Sequence, residues 1–523
     1  MDTKALRQKI LDLAIRGKLV PQDPDDEPAS VLLERIRQQK QQMVKEGKLK
    51  PKDIKNDSVI FVGEDNLHYE KFADGSVKCI EDEIPFDLPE GWAWVRLGNL
   101  SAAIQYGLSN SAEPQGTHRL LRITDIQDGK VDWNAVPFTT VNDPEAYLLK
   151  TGDIVFARTG ATVGKSFLIT ETPYPSVYAS YLIRIRLLGS LSPEYIYQFF
   201  DSACYWSQIT DKSVGVGQPN CNGTSLKELF IPLPPISEQL RIVPTAQALL
   251  AYVAKIDAEK KSLLSIIMAT KSKILDLAIR GQLIPQDPND EPASVLLERI
   301  RAEKEELIKQ GKIKRDKKES VIFRGEDNSY YEKMPDGKLH CLDDQLPFEL
   351  PDGWEWCNLS MIGTTNIGLT YRPTNIEPDG VIVLRSCNIV NDQVDLSDLV
   401  RVKTTIRENQ YVQKNDILIC ARNGSRALVG KCALIPDLGE PASFGAFMAI
   451  YRTEYFEYIV HYLRSSFFRS VFDDSNSTAI NQLTQDMLKR AIVPLPPVFE
   501  QRRITETIDA MLFELNQMEK SLI

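Results

Sequence analysis

The string nearest to a catalytic motif is GATVGKS, at residues 160–166. It resembles the phosphate-binding loop G-x-x-x-x-G-K-[ST], whose backbone N–H groups hold phosphates and whose hydroxyl holds Mg²⁺. The string has one residue too few between its glycines. The matching string at 424–432 has one too many and ends in cysteine. Two interpretations remain: a glycine-containing turn that orders a loop, or a loop that presents Arg158, Thr159 and Lys165 to phosphates or bases.

Other enzyme motifs are absent from the sequence. An adenine methyltransferase needs a glycine-rich cofactor loop and an [ND]-P-P-[YF] strip around the flipped base, and neither occurs. There is no G-x-S-x-G elbow and no H-E-x-x-H pair. The eight cysteines form no C-x2-C pair and the four histidines show no zinc spacing. We therefore expect no catalytic residue, no metal and no cofactor on this chain, and assign any catalysis to partner proteins.

An internal repeat organises the sequence. The 29 residues that start at Lys9 and the 29 that start at Lys273 are identical at 26 positions. LPEGWAW, which ends at Trp94, matches LPDGWEW, which ends at Trp356, and IPLPPISEQLRI matches VPLPPVFEQRRI. The residues between these two blocks diverge sharply. A shared frame therefore carries two different inserts.

The repeat also continues across the chain ends. Met1 aligns with Ser265 and Ile523 aligns with Lys261, as in a cyclic twofold object that has been opened at one point. We expect residues 499–523 and about 4–16 to match, together, the continuous segment 237–281.

Apolar residues recur at alternating spacings of four and three after each PLPP block, which is the a/d pattern of a coiled coil. The pattern predicts a helix of roughly 40 residues, about 60 Å long. It should kink or start late at Pro244, because proline lacks a backbone N–H, and it should stop at Gly281. Two such helices should pack antiparallel. The main seam positions are Ile242, Leu249, Val253, Ile256, Ile504, Ile508, Met511 and Leu515.

These patterns predict an α+β chain with two mainly-β α/β domains, separated by an antiparallel coiled coil of two long helices in a cyclic pseudo-twofold repeat. Short β-branched runs in each insert predict strands, and Asp-Gly turns predict a β-meander before each insert. The aromatic residues of YIYQFF and YIVHYL are expected in the core. The expected segments are 1–50 (repeat segment), 51–91 (β-meander), 92–230 (first insert), 231–281 (long helix), 282–353 (linker helix and β-meander), 354–492 (second insert) and 493–523 (C-terminal helix).

The charge distribution argues against strong DNA binding by the chain alone. The net charge is −10, with 11 basic and 12 acidic residues in 92–230 and 14 and 15 in 354–492. Phosphate binding normally requires an excess of Lys and Arg. No run of about 18 apolar residues and no signal-peptide core occurs, so we expect a cytoplasmic protein.

Together, these features resemble the specificity subunit of a type I restriction-modification enzyme. The resemblance covers essentially the whole chain and rests on the doubled PLPP-x-x-EQ-x-x-I segment, the LP-x-GW-x-W entry to each insert, the GDI and NDI strands followed by Ala-Arg and Gly-Lys, and the ILDLAIRG helix end. Any one of these signatures is weak, whereas their duplicated order is specific.

The resemblance implies that each insert is a target-recognition domain that reads one half of a bipartite, asymmetric double-stranded DNA site. The coiled coil would set the spacing and dock the partners. These are two modification subunits, which bind S-adenosylmethionine and methylate adenine at N6, and two restriction subunits, which use ATP and Mg²⁺. The alternatives are a coiled-coil scaffold that binds only protein, and a DNA enzyme with its own recognition domains, for which catalytic motifs are lacking.

The candidate DNA-reading residues are polar or basic residues in turns next to strands. Arg can take guanine O6 and N7 in a fork, and Asn or Gln can take adenine N6 and N7. In the first insert the candidates are Tyr106, Ser109, Asn110, Arg122, Arg158, Thr159, Lys165, Gln218 and Asn220. In the second insert they are Thr370, Tyr371, Arg372, Arg385, Asn388, Arg422, Asn423, Ser425, Arg426 and Lys431.

Overall fold

The computed structural model describes residues 2–127, 129–212, 220–313, 315, 320–334, 336–473 and 482–522. The chain divides into two compact units, Met1–Lys260 and Lys261–Ile523. Each unit mixes helices with sheets, and one helix, Ile236–Ile279, continues from the first unit into the second. Within the described ranges, no helix is long and apolar enough to cross a membrane.

The first unit contains seven labelled helices and the start of an eighth among its described residues. The helices are α1 (Thr3–Ile15), α2 (Ala29–Lys45), α3 (Pro51–Ile54), α4 (Leu97–Leu100), α5 (Pro193–Phe200), α6 (Ala203–Lys212), α7 (Gly223–Lys227) and the first part of α8 (Ile236–Ile279). The strands are β1 (Ser58–Val62), β2 (His68–Phe72), β3 (Val77–Cys79), β4 (Ala93–Arg96), β5 (Ser101–Tyr106), β6 (His118–Leu121), β7 (Ile126–Gln127), β8 (Lys130–Val131), β9 (Phe138–Thr139), β10 (Ile154–Ala157), β11 (Ser166–Leu168), β12 (Ser176–Tyr178), β13 (Leu182–Leu187) and β14 (Phe230–Leu233).

The second unit follows the same order of elements. Its helices are the rest of α8, then α9 (Ala293–Lys309), α10 (Leu359–Ile362), α11 (Phe456–Arg464), α12 (Ser466–Asp473), α13 (Gln485–Arg490) and α14 (Val498–Leu522). Its strands are β15 (Val321–Arg324), β16 (Tyr330–Lys333), β17 (Leu339–Cys341), β18 (Glu355–Asn358), β19 (Thr364–Ile367), β20 (Ile376–Leu384), β21 (Ile389–Val390), β22 (Gln393–Val394), β23 (Val400–Val402), β24 (Ile417–Cys420), β25 (Cys432–Leu434), β26 (Ala442–Phe444), β27 (Met448–Arg452) and β28 (Ile492–Leu495).

The two repeated blocks that flank each insert pair with each other. Strand β4 pairs antiparallel with β14, with Trp94 opposite Pro232, and β18 pairs with β28, with Trp356 opposite Pro494. Each pair is a sheet of two strands, so both strands are edges and a proline is tolerated there. The PLPP block thus closes the insert by returning the chain to the strand that opened it.

Each insert holds two larger sheets and, among the described residues, a two-stranded hairpin, β7-β8 or β21-β22. In the first unit, the strand order is β11-β10-β13-β5 in an antiparallel sheet and β12-β6-β9 in a second sheet, where β12 and β6 run parallel. In the second unit, the corresponding orders are β19-β27-β24-β25 and β23-β20-β26. The predicted β-meanders also form, as β1-β2-β3 and β15-β16-β17. The divergent sequences therefore keep one topology.

Most aromatic side chains on the described helices of the inserts lie in the core, as the sequence predicts, but Trp206 of α6 is 37% exposed. Tyr195, Phe199 and Phe200 of α5 are at most 1% exposed, as are Tyr458 and Tyr462 of α11. Their burial stabilises each unit through the apolar area removed from water. These rings are therefore not available to stack on bases.

A buried hydrogen bond ties the entry of each insert to the helix that follows the PLPP block. Trp92 Nε1 donates to Glu238 Oε2 at 2.8 Å, and Trp354 Nε1 donates to Glu500 Oε2 at 3.1 Å. Burial raises the pKa of both carboxyl groups. A buried carboxylate that keeps a donor is tolerated, whereas one that loses it is costly.

Helix α8 is the long helix that the heptad pattern predicts. It starts at Ile236 and continues through Pro244, so of the two predicted outcomes the late start is wrong and the kink stays a prediction. Pro244 offers no N–H to the carbonyl of Leu240, a residue that is 65% exposed. The helix ends at Ile279, just before Gly281, which has a φ of +64°. The predicted stop is therefore confirmed.

The partner of α8 differs between the units. In the first unit α1 runs antiparallel to α8, because Thr3 bonds to Asp257 at 3.0 Å while Ile10 packs with Ala246 and Val253. In the second unit α14 packs on the last part of α8. The chain termini thus supply the two helices that the repeat pairs with the continuous one.

The predicted seam of the coiled coil divides into buried and exposed positions. The positions buried within the chain's own units are Ile242, Val253, Ile504 and Ile508. The exposed positions are Leu249, Ile256 and Met511, whereas Leu515 is partly buried. The first four side chains stabilise the chain itself and are not available to a partner protein, which corrects that part of the prediction.

We predict that Trp92→Phe lowers the free energy of unfolding by about 1–3 kcal/mol, because it leaves the buried Glu238 carboxylate without its donor. Trp354→Phe should have a smaller effect, because Gln286 Nε2 still donates to Glu500 Oε1 at 3.3 Å. The effect should be larger at pH 8 than at pH 5. The raised pKa of each carboxyl means that the native state binds its proton more readily, so protonation at low pH removes the buried charge. Urea denaturation at both pH values measures this.

The matched control is Trp206→Phe, because Trp206 is 37% exposed and its indole N–H donates to no described residue. Equal losses for all three variants would show that indole volume, and not the hydrogen bond, is responsible.

Candidate nucleic-acid interface

The glycine-containing string at 160–166 is a turn between two strands and not a phosphate loop. A phosphate loop joins a strand to the N-terminus of a helix, whereas here β10 is followed by a short turn and then by β11. The N–H of Gly164 donates to the carbonyl of Ala157 at 3.0 Å, and a Cβ on Gly164 would lie 2.6 Å from the Trp206 ring. The string therefore lacks the helix N-terminus that a phosphate loop uses.

The second unit builds the same turn between β24 and β25. The N–H of Gly430 donates to the carbonyl of Cys420 at 2.9 Å, and the N–H of Cys420 donates to the carbonyl of Lys431 at 2.8 Å. Both units therefore form a turn between two strands at this string. The side chains next to the turn remain candidates for contact with a ligand.

In the first unit, several strands end at one short turn, 178–182, which connects β12 to β13. The N–H of Leu108, after β5, donates to Tyr178, and the N–H of Ala179 donates to Leu121, at the end of β6. The N–H of Arg158, after β10, donates to the carbonyl of Tyr181 at 3.0 Å. The residues that follow three different strands therefore meet at one edge.

We call the side chains at this edge the first rim: Tyr106, Arg158, Thr159, Tyr181 and Asn220. The Arg158 guanidinium lies 4.9 Å from the centre of the Tyr106 ring, whose hydroxyl accepts the N–H of Gly223 at 2.9 Å. Thr159 forms an isolated β-bridge with Asn220. The rim thus brings together four of the predicted residues on a well-connected backbone.

The charge of Arg158 is not neutralised within the described part of the unit. Its contact there is the Tyr106 ring, and its buried Nε atom has no hydrogen-bond partner among the described residues. A cation on an aromatic face keeps its net positive charge. Arg158 is therefore placed to meet an external anion or base edge.

Other basic residues of the first unit serve the fold. Arg122 forms an ion pair with Asp125 at 2.6 Å, and this hydrogen bond raises the pKa of the guanidinium. Arg186 pairs with the buried Asp153, also at 2.6 Å. Carboxylate partners of this kind occupy the guanidinium fork that base reading requires. The structure thus gives Arg122 a local structural role.

The remaining predicted residues of the first insert lie at the surface of the same domain. Ser109 and Asn110 are exposed, and the Asn110 amide donates to the Thr140 carbonyl at 3.1 Å. Lys165 is exposed beside the turn. Gln218 lies outside the described residues.

The second unit has an equivalent edge at the turn 444–448, which joins β26 to β27. The N–H of Leu369 donates to Phe444, and the N–H of Gly445 donates to Leu384. We define the second rim as Thr370, Arg422, Phe447 and Gln482. The N–H of Arg422 donates to the carbonyl of Phe447 at 3.0 Å, its guanidinium lies 5.6 Å from the Phe447 ring centre, and Arg422 forms a β-bridge with Gln482.

The two rims share a backbone but differ in side chains. By its bridge, Arg422 occupies the place of Thr159, because Thr159 bridges Asn220 as Arg422 bridges Gln482. Relative to this bridge, the arginine of the second unit therefore stands one residue further along the chain than the arginine of the first unit. Successive residues of an extended chain point to opposite sides, so the two guanidinium groups have different directions in the same frame.

Two predicted residues of the second insert are used by the fold. Asn388 is 1% exposed, and its amide donates to the carbonyls of Asp395 and Asp398. Arg385 donates to the Asp398 carboxylate at 2.9 Å. Both residues order a local turn; Asn388 is enclosed, whereas Arg385 is paired with an exposed carboxylate.

The other predicted residues of this insert are mostly accessible. Tyr371 packs with an apolar cluster around Leu369, whereas Arg372 is exposed. Asn423 accepts the N–H of Ser425 at 3.0 Å. Ser425 and Arg426 are exposed and Lys431 is partly exposed in the turn between β24 and β25.

Sequence reasoning missed three rim residues, and each had a signal. Gln482 stands 262 residues after Asn220, which is the offset of the surrounding repeat. Tyr181 and Phe447 end the strings YASY and FGAF, which share an aromatic–small–small–aromatic pattern within the diverged inserts. A comparison of the inserts with each other would have found all three.

Comparisons with known proteins agree with this architecture. The family model described as the type I restriction modification DNA specificity domain matches residues 89–266 and 351–523. The type I restriction enzyme EcoAI specificity subunit of Escherichia coli is 28% identical over 587 residues, covering 99% of this chain and 90% of that protein. The EcoEI specificity subunit of Escherichia coli is 27% identical over 592 residues, with the same coverages.

A solved structure shows the same fold. It was determined in work on complex assembly and conformational transition of the type I restriction-modification system, and it covers 84% of this chain and 94% of its own, with a TM-score of 0.52 at 18% identity. Two matched copies of the domain correspond to the two halves of the internal repeat. The chain therefore belongs to the family of type I restriction-modification specificity subunits, and it carries two DNA-recognition domains.

Proposed function

We propose that residues 92–230 and 354–492 each read one half of a bipartite, asymmetric DNA site through their rims. The observation that carries this proposal is the pair of rims: one backbone frame carries an amide residue at the equivalent bridged position in both units, whereas the arginine stands one residue apart between them. Different side chains on a common frame suit two different half-sites. The segments outside the two inserts serve as linkers and as the coiled-coil frame.

The proposed reading residues are the accessible members of the predicted set together with Gln482. In the first domain they are Tyr106, Ser109, Asn110, Arg158, Thr159, Lys165 and Asn220. In the second domain they are Thr370, Arg372, Arg422, Asn423, Ser425, Arg426, Lys431 and Gln482. Arg158 and Arg422 are suited to guanine, and Asn220 and Gln482 to adenine.

The charge balance supports binding as part of a complex. Arg158, Lys165, Arg372, Arg422 and Lys431 have no carboxylate partner among the described residues. Few such cations on a chain of net charge −10 favour weak, salt-sensitive binding by the chain alone. Partner subunits would complete the contact with the duplex.

We further propose that the chain is non-catalytic and works in the cytoplasm with two modification subunits and two restriction subunits. The modification subunits would bind S-adenosylmethionine and methylate adenine, and the restriction subunits would use ATP and Mg²⁺. The exposed seam residues of α8 and α14, which include Leu249, Ile256 and Met511, fit the docking of a partner protein. Side chains of this kind bury apolar area when a protein covers them.

The function is tested by sequencing N6-methyladenine in DNA from cells that express this chain with the modification subunit. We expect one split, asymmetric motif that disappears when this chain is omitted. A stable complex of the two proteins without any motif would contradict the proposal and favour a scaffold that binds only protein.

Arg158→Ala should relax or weaken one position of one half-site, and Arg422→Ala one position of the other half-site. Loss of a bidentate contact to guanine removes about 1–3 kcal/mol of discrimination. Methylation motifs of the two variants measure this position by position. The control Arg401→Ala removes an arginine that is paired with Glu440 at 2.8 Å, and its motif should be unchanged. Loss of both half-sites in one variant would argue against separate readers.

Leu249→Asp and Met511→Asp should each weaken the complex with the modification subunit, because a carboxylate in an apolar contact must lose its water. Co-purification and mass photometry of the full-length chain measure this. The control is Val62→Asp, at a position 56% exposed on the β-meander. Unchanged assembly of both helix variants would place the docking surface elsewhere.

A further inference from the structure

One exposed aromatic ring stands at the same place in both recognition domains. Tyr181 is 63% exposed and Phe447 is 61% exposed. In each case the first aromatic of the four-residue string, Tyr178 or Phe444, is fully buried. A large ring left this accessible on an otherwise well-packed turn does not contribute to the core.

The backbone that carries each ring is fixed. In the first domain, the N–H of Ser180 donates to Leu108 at 2.8 Å and the N–H of Leu182 donates to Ala179 at 2.9 Å, while the Tyr181 carbonyl accepts from Arg158. The Phe447 carbonyl accepts the N–H groups of both Ala421 and Arg422. The ring is thus held outward by a braced turn.

The position of the ring next to a reading arginine indicates what it contacts. Its own carbonyl accepts the N–H of Arg158 in one domain and of Arg422 in the other. In the second domain the Arg422 guanidinium lies 5.6 Å from the centre of the Phe447 ring, so a ligand that binds this guanidinium passes close to that ring, and Tyr181 occupies the equivalent turn in the first domain. Under the proposed function, on which this inference rests, that ligand is a DNA duplex.

The two domains differ in the proposed base-reading residues, but both have an aromatic residue at this turn position. One ring has a hydroxyl, which donates to no described residue, and the other has none. A contact common to two different half-sites cannot depend on a particular base, and a contact that serves Phe as well as Tyr needs no hydrogen bond. Aromatic faces contact sugars and bases without sequence preference.

We propose that Tyr181 and Phe447 are sequence-independent contacts that lay an aromatic face against the nucleotides of each half-site. They contribute to affinity for any duplex, whereas the other rim residues determine which sequence is preferred.

The test uses the complex of the full chain with its modification subunit and two duplexes, one with the methylated motif and one with both half-sites scrambled. Tyr181→Ala and Phe447→Ala should each raise Kd by at least about 5-fold for both duplexes. The methylated motif should stay the same while its occupancy falls. Tyr181→Phe and Phe447→Tyr should bind like the parent.

The control is Tyr174→Ala, because Tyr174 is 40% exposed in the same domain but lies before β12, away from the rim. Unchanged Kd in both alanine variants would overturn the inference, as would a motif relaxed at one base, which would make the ring a base reader. Weaker assembly with the modification subunit at unchanged DNA affinity would make it a protein contact and overturn the inference as well. If the parent complex shows neither a motif nor DNA binding, the proposed function fails first.

Discussion

In each rim, a glycine lets two backbone segments lie so close together that no side chain would fit between them. This close contact holds the rim together. A Cβ on Gly107 would lie 2.3 Å from the carbonyl oxygens of Tyr178 and Ala179, and one on Gly368 would lie 2.2 Å from that of Gly445. Only glycine lets the strand ends meet the turn this closely. Every rim side chain then projects from a backbone that its neighbours have already fixed.

The residues that close each insert and the residues of the rims lie in different parts of the sequence. Each insert is closed by a strand pair and by a buried tryptophan–carboxylate bond, and both lie in the repeated sequence. The rim residues lie in the diverged sequence, at strand ends, where a polar side chain can change without opening the core. Binding residues on a rigid scaffold need little ordering when the ligand arrives.

Much of the architecture could be predicted, because the same helix, turn and strand signals occur in both copies of the repeat. The a/d spacing and the glycine at its end predicted the long helix. The order of the repeated LP-x-GW-x-W and PLPP blocks predicted the two inserts. Helix α8 nevertheless continues through Pro244, at a point where Leu240 is exposed. The site was harder to predict, since burial is not visible in local sequence: Asn388 resembles a reader but is enclosed, whereas Tyr181 resembles a core residue but is exposed.

Under the proposed function, the shift of the arginine by one residue between the two rims makes the two readers inequivalent. With Arg158 before its bridged position and Arg422 on it, a duplex that matches the two domains in one orientation would not match them when turned end for end. A chain built from two nearly equal halves would then bind DNA with a defined polarity, and would pass that polarity to the partner subunits proposed above.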